Sequence, residues 1–278
     1  AMAGPPCFPE PIHILSDLHL GHVACALRDV RQIRPLLEGA RTVIFNGDTA
    51  EVRANSFKQR AAVEQDKLTT MLDELGVEQT IYLTGNHDPR ISERHHVCLM
   101  DGKVVVTHGD FLYRYISPWS KKLRHCRPQI DSILADTDSV RLKTDFDYQL
   151  EVTRRCCDVL SIIEVPKPRN ILDRASYVAK EFWPPSRILT ILSVWLTAPR
   201  LIRRALTQYH PDAHTMVFGH IHRPGVWHGQ GRTAINTGGF LSMIRASVLE
   251  IQSGQMTYHR VDQRGSDCVL GPRRIIRP

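Results

Sequence analysis

The sequence predicts an α/β fold interrupted by a largely helical insertion. Three observations predict it. Short apolar runs recur through the first 110 residues, and each ends on a cluster containing Asp, Asn or His. A helical apolar rhythm separates two of those runs. After about 100 residues of helical and irregular character, strand-like runs with Gly-rich turns return.

The first run, residues 12–16 (IHILS), stops at Asp17, and the second, residues 42–45 (TVIF), stops at Asn46, Gly47 and Asp48. Phe57, Ala61, Leu68, Met71, Leu72 and Leu75 then fall near one helical face, and Gly76 follows as a stop. Residues 80–84 (TIYLT) lead to Gly85, Asn86, His87 and Asp88; residues 103–107 (KVVVT) lead to His108, Gly109 and Asp110. Beyond the insertion, residues 215–218 (TMVF) end at Gly219 and His220, and residues 225–261 read as short strands with a hairpin turn at Ser253-Gly254. Runs of this kind are buried strands, and in such layouts ligands gather at the carboxyl ends.

The predicted organisation is a core over residues 12–262, a mostly helical cap inserted at 111–210, and an extension at 263–278. With 42% hydrophobic and 23% charged residues in 278, the chain is globular rather than disordered. Its net charge of +7 suits anionic partners. The cap alone carries 17 Lys/Arg against 10 Asp/Glu, so the basic character is concentrated there. Seven cysteines, an odd number with no CxxC, fit a reducing compartment better than a disulfide scaffold. The first residues show neither a charged nor an apolar leader region, so a cytoplasmic location is expected. The apolar stretch at 188–199 is short of the roughly 20 residues a membrane span needs. Its mixture of Trp, Leu and Ile with Arg, continuing to residue 206, suits peripheral contact with an anionic membrane.

Five polar clusters at strand ends carry the chemistry: Asp17-Leu18-His19, Gly47-Asp48, Gly85-Asn86-His87-Asp88, His108-Gly109-Asp110 and Gly219-His220-Ile221-His222. Asp17 and Asp48 supply anionic oxygens, Asn86 a neutral one, and His19, His108, His220 and His222 supply nitrogens. Such mixed donors suit paired Mn, Fe, Zn or Co ions, whereas Mg or Ca prefers nearly all oxygen. Asp17 and His19 can share one ion because alternate residues of an extended chain point the same way; whether His220 and His222 share an ion is open at this point. Arg90 and Arg114 follow two of the clusters and are candidates for holding a phosphate. Cys156-Cys157, in a helical-looking run, reads as packing.

The motifs DLH, GDTAE, GNHD, THGD and GHIH, in this order, resemble the calcineurin-like metallophosphoesterase family over residues 12–110 and 212–262. The resemblance implies a four-layer α-β-β-α sandwich with two divalent ions, Mn foremost. Asp17, His19 and His222 would hold one ion and Asn86, His108 and His220 the other, with Asp48 bridging. A metal-bridging hydroxide would attack phosphorus. His87 would assist the leaving group as a catalytic residue, with Asp88 fixing its tautomer.

Within that family, SDLHLG, HGD and GHIHRP resemble the UDP-2,3-diacylglucosamine hydrolases. That branch usually places Arg after the Asn of GN; here the residue is His87, the broader family pattern. The implied substrate is a phosphorylated small molecule or a nucleotide-linked lipid. The alternatives are a nuclease, a cyclic-nucleotide phosphodiesterase or a non-catalytic metal-binding scaffold. Nucleic acid is the weaker partner, since no aromatic-basic platform is visible.

Overall fold

The computed structural model describes residues 8–53, 55–161 and 186–276. Residues 1–7, which include Cys7, and residues 162–185 of the expected cap lie outside the described residues.

Eleven strands are described: β1 (Ile12–Leu15), β2 (Thr42–Asn46), β3 (Gln79–Leu83), β4 (His96–Leu99), β5 (Val104–Thr107), β6 (Thr215–Phe218), β7 (Gly225–Gly229), β8 (Arg232–Asn236), β9 (Ser247–Gln252), β10 (Gln255–Arg264) and β11 (Asp267–Ile276). They form a six-stranded sheet in the order β11-β10-β9-β1-β2-β3 and a five-stranded sheet in the order β4-β5-β6-β8-β7. β1, β2 and β3 run parallel, as do β5, β6 and β8. The parallel strands of each sheet therefore deliver their carboxyl ends to one edge.

Side-chain alternation builds the layers. Ile12, Ile14, Ile44, Leu83, Val104, Val106, Val217, Ile235 and Leu249 fill the space between the sheets. Their neighbours Leu15, Val43 and Phe45 point the other way and pack with Leu36, Leu68, Met71 and Leu72 of helices α1 (Arg34–Leu37) and α2 (Asn55–Glu74). On the second sheet, Val105, Met216, Phe218 and Ala234 are covered by Phe146 and Leu150 of α5 (Phe146–Ser161) and Ile202 and Leu206 of α6 (Ser186–Tyr209). The result is the four-layer sandwich with a helical insertion. Each fully buried Leu, Ile or Phe here contributes about 1.5–3 kcal/mol.

The insertion also holds α3 (Leu123–Ala135) and α4 (Arg141–Thr144). Cys126 and Ile130 of α3 meet Cys156, Cys157 and Leu160 of α5 in a separate small core. Cys156 and Cys157 are buried free thiols, and burial pushes the Cys156 thiol up to about 11. No helix among the described residues is long and apolar enough to cross a membrane. Even so, α6 exposes Ile188, Leu189, Leu192 and Leu196.

Two elements depart from the sequence reading. β4, which pairs antiparallel with β5, was not expected, because HVCL is only four residues long and opens on a polar residue after the polar stretch SERH. At the C-terminal end, β10 runs into the extension and β11 closes the sheet edge, with Pro272 on that unpaired margin. The turn at Ser253-Gly254 has φ of 50° and 75°, the left-handed pair of a tight hairpin.

Candidate metal centre

β1, β2, β5 and β6 end beside one another, and their terminal loops bring two side-chain groups together. Asp17, His19, Asp48 and His222 form the first; Asp48, His108 and His220 form the second, with the donor atoms of each group within 4.8 Å of one another. Asp48 belongs to both. All these residues except His222 are buried.

The loops hold unusual backbone. Asp17, His19, Asp48, His220 and His222 have φ between 49° and 67°, the left-handed region that side chains seldom adopt. Such conformations cost about 1–3 kcal/mol each and persist where surrounding contacts over-determine them. Glycines allow the approach. At Gly47 (φ 79°) a Cβ would strike the His108 ring, and at Gly85 it would overlap the backbone and carboxylate of Asp48.

Hydrogen bonds aim the side chains. The His220 amide donates to both Asp17 oxygens at 3.1 Å, and the Ser16 hydroxyl donates to the same carboxylate. The His87 amide donates to Asp48 Oδ1 at 2.7 Å. His108 Nδ1 donates to the Asn46 carbonyl, and His220 Nε2 to the Ile116 carbonyl, each at 3.0 Å. Those bonds leave His108 Nε2 and His220 Nδ1 as the ring atoms free to hold a ligand.

Lone pairs then meet lone pairs. His108 Nε2 lies 3.3 Å from Asp48 Oδ2 and 3.2 Å from Asn86 Oδ1. His19 Nε2 lies 3.2 Å from His222 Nε2, and the latter is 3.1 Å from Asp17 Oδ1. Converging acceptors repel unless a cation or proton sits among them. Burial disfavours charge on His108, yet Asp48 and Asp17 overcome it and push its pKa up to about 10. Burial lowers His220 to about 4, with His108 adding to the effect. The donor set fits two adjacent divalent cations, and its mixture of carboxylate, amide and imidazole matches borderline metals.

His87 stands at the rim, its ring 4.6 Å from that of His19. Its Nδ1 donates to Glu51 at 2.6 Å, and Arg53 Nη1 donates to its Nε2 at 3.1 Å. Burial opposes ionisation of Glu51, but His87 outweighs it and holds the carboxyl down at about 2. The carboxylate on His87 is therefore Glu51, not Asp88. Asp88 turns away and accepts the amides of Asp48, Thr49, Ala50 and Gly85 at 2.7–3.1 Å, clamping two ligand loops together. Burial and the nearby Asp48 raise its pKa to about 7.

Glu51 and Arg53 were the residues the sequence reading missed in this role. A signal existed: in GDTAEVR they lie two apart after a strand, the spacing that places extended residues on one side. The expected phosphate-holding arginines are not brought here. Arg90 is an exposed partner of Asp158, and Arg114 of Asp131; both chose nearby acids of the helical insertion over the cluster. Asp110, two residues after His108, pairs with Arg154 of α5, and both are buried.

The family model described as calcineurin-like phosphoesterase matches residues 10–224. No curated protein matches the chain. Among solved structures, a double mutant of Vps29 from Entamoeba histolytica shares 12% identity, covering 96% of this chain and 99% of that one, with a TM-score of 0.45. Vacuolar protein sorting 29 from Cryptosporidium parvum shares 13%, covering 97% and 99%, with a TM-score of 0.43. A dimetal phosphatase from Danio rerio shares 12%, covering 94% and 99%, with a TM-score of 0.42.

Proposed function

The chain belongs to the calcineurin-like phosphoesterase family, and from that premise we propose that it hydrolyses phosphoester or phosphoanhydride bonds at a dinuclear metal centre. Asp17, His19 and His222 would hold one ion and Asn86, His108 and His220 the other, with Asp48 between them. Manganese heads the fitting ions, followed by Fe, Zn and Co. Divalent ions supply Lewis acidity toward phosphoryl oxygens and an attacking water.

The observation that carries the reading is the Glu51–His87–Arg53 relay beside His19. A scaffold that only bound metal would have no use for it. Ionised Glu51 fixes the Nδ1–H tautomer of His87 and supports a second proton at Nε2. That proton can pass to the departing oxygen. Arg53 is buried, and its Nε and Nη2 have no partner among the described residues. Those donors can take a phosphoryl oxygen as substrate enters, releasing His87 Nε2 for proton transfer.

On substrate, the apolar face of α6 supports a nucleotide-linked lipid of the UDP-2,3-diacylglucosamine kind. Trp195 of that helix donates Nε1 to the Ile221 carbonyl at 2.8 Å, between His220 and His222. The exposed Leu189, Leu192 and Leu196, with exposed Arg200 and Arg204 beyond them, also suit contact with an anionic membrane.

The test is manganese-reconstituted protein assayed on bis(p-nitrophenyl) phosphate, a cyclic nucleotide and UDP-2,3-diacylglucosamine. His87→Ala should lower kcat by about 10²–10⁴-fold while metal content stays at the wild-type level. Bound metal with no turnover of any of the three would favour the non-catalytic metal-binding scaffold instead.

A further inference from the structure

A groove of about 670 Å³ lies where the β10–β11 hairpin meets the segments after His222 and before β9. Its volume falls within the roughly 300–1,000 Å³ of small-molecule sites. Arg245, Arg260, Arg273 and Arg274 line it, against one acid, Asp262. None of the four arginines makes an ion pair among the described residues; Arg274 reaches only the His228 ring, at 3.3 Å. Asp262 makes no ion pair among the described residues, and its carboxylate lies against the Gly271 backbone, where a Cβ would overlap it. Some surface arginines are neutralised, as in Arg31–Asp29, Arg41–Glu78 and Arg114–Asp131; those of the groove instead gather around one concavity. Guanidinium groups without acid partners around one concavity repel one another and favour an anionic ligand.

The groove shares a wall with the metal centre. Pro224 and Gly225, on its lining, follow His222 and Arg223 directly. Gly238 bridges to Ala246 of the lining, and the Gly239 amide donates to the Arg245 carbonyl at 3.3 Å. On its other side Gly239 presses against Asp17 and His222, where a Cβ would sit 2.9 Å from Asp17 Cβ. A single turn of chain thus separates the groove lining from the first ligand group.

We infer that this groove is a subsite for a phosphate-bearing part of the substrate remote from the bond that is cut. The inference rests on the proposed hydrolytic function and narrows it to substrates with a second anionic phosphate. Arg260 and Arg274 share one face of the β10–β11 ribbon, since Arg274 lies opposite Tyr258, two residues before Arg260, and they would grip that phosphate with paired N–H donors.

The probe is ADP, titrated by calorimetry at low salt into protein freed of metal by chelator. Binding is expected in the wild type, and Arg260→Gln with Arg274→Gln should weaken it by at least about tenfold, since a hydrogen bond to a charged group is worth that factor or more. A control double variant on another surface, Arg28→Gln with Arg60→Gln, should change it less than about twofold. In the metal-loaded enzyme, ADP should compete with bis(p-nitrophenyl) phosphate, and the groove variant should raise the ADP inhibition constant while leaving KM and kcat for that substrate unchanged. No ADP binding, equal loss in the control, or binding without competition would overturn the inference. Absence of any turnover would instead reject the hydrolytic reading and leave the calorimetric result standing on its own.

Discussion

Replacing Glu51 by Gln keeps an oxygen that can accept from His87 Nδ1 but removes the charge. Glu51 is 3% exposed and sits 2.6 Å from the ring. Its pKa is held at about 2 against an ordinary 4.5, a difference worth roughly 3 kcal/mol of preference for the charged pair. If about half to all of that preference holds the imidazole in place as proton donor to the departing oxygen, kcat falls by about 10–100-fold. The assay is bis(p-nitrophenyl) phosphate hydrolysis by manganese-loaded wild type and variant, with metal content measured on the same samples. Unchanged kcat at full metal content would refute the role given to Glu51. The stability sign is also fixed: the native chain binds fewer protons at Glu51 than the unfolded chain between pH 4.5 and about 2. That contribution is present above pH 4.5 and is lost as pH falls toward 2.

Asp88→Asn should destabilise the chain by about 2–4 kcal/mol, because one amide oxygen cannot accept all four backbone N–H groups that Asp88 receives; a melting curve superimposable on wild type would contradict the clamp. Arg154→Met strands the buried Asp110 carboxylate and should cost about 3–5 kcal/mol in denaturant unfolding, with a double variant that also carries Asp110→Leu recovering part of it. Leu192→Glu with Leu196→Glu should abolish sedimentation with vesicles of equal phosphatidylglycerol and phosphatidylcholine without altering bis(p-nitrophenyl) phosphate turnover; equal sedimentation of the variant would remove α6 as a membrane contact.

Local pattern made the buried strands legible. Four-residue runs such as VVVT and TMVF carry three apolar residues in a row and no charge, and a strand buried on both faces accommodates them. The convergence at the metal centre was legible for the same reason, since parallel strands place their terminal residues at one edge. What the chain order hid was contact between loops. Asp88 directly follows His87, but consecutive residues point apart, and the loop turns Asp88 into the amides of a different strand end. Glu51 reaches His87 from 36 positions away. Arg90 and Arg114 looked poised beside their clusters, yet each found an acid on a helix whose position no short-range signal fixes. β11 escaped notice because its charged GPRR run breaks the apolar pattern, although Cys268, Leu270 and Ile276 on either side of it pack into the two cores and the strand pairs with β10.

The most direct measurement is a manganese-soaked crystal structure with anomalous scattering. The account predicts two peaks about 3.5–4 Å apart, one among Asp17, His19 and His222 and one among Asn86, His108 and His220, with Asp48 touching both. A single peak, or none at manganese concentrations that support full activity, would contradict it.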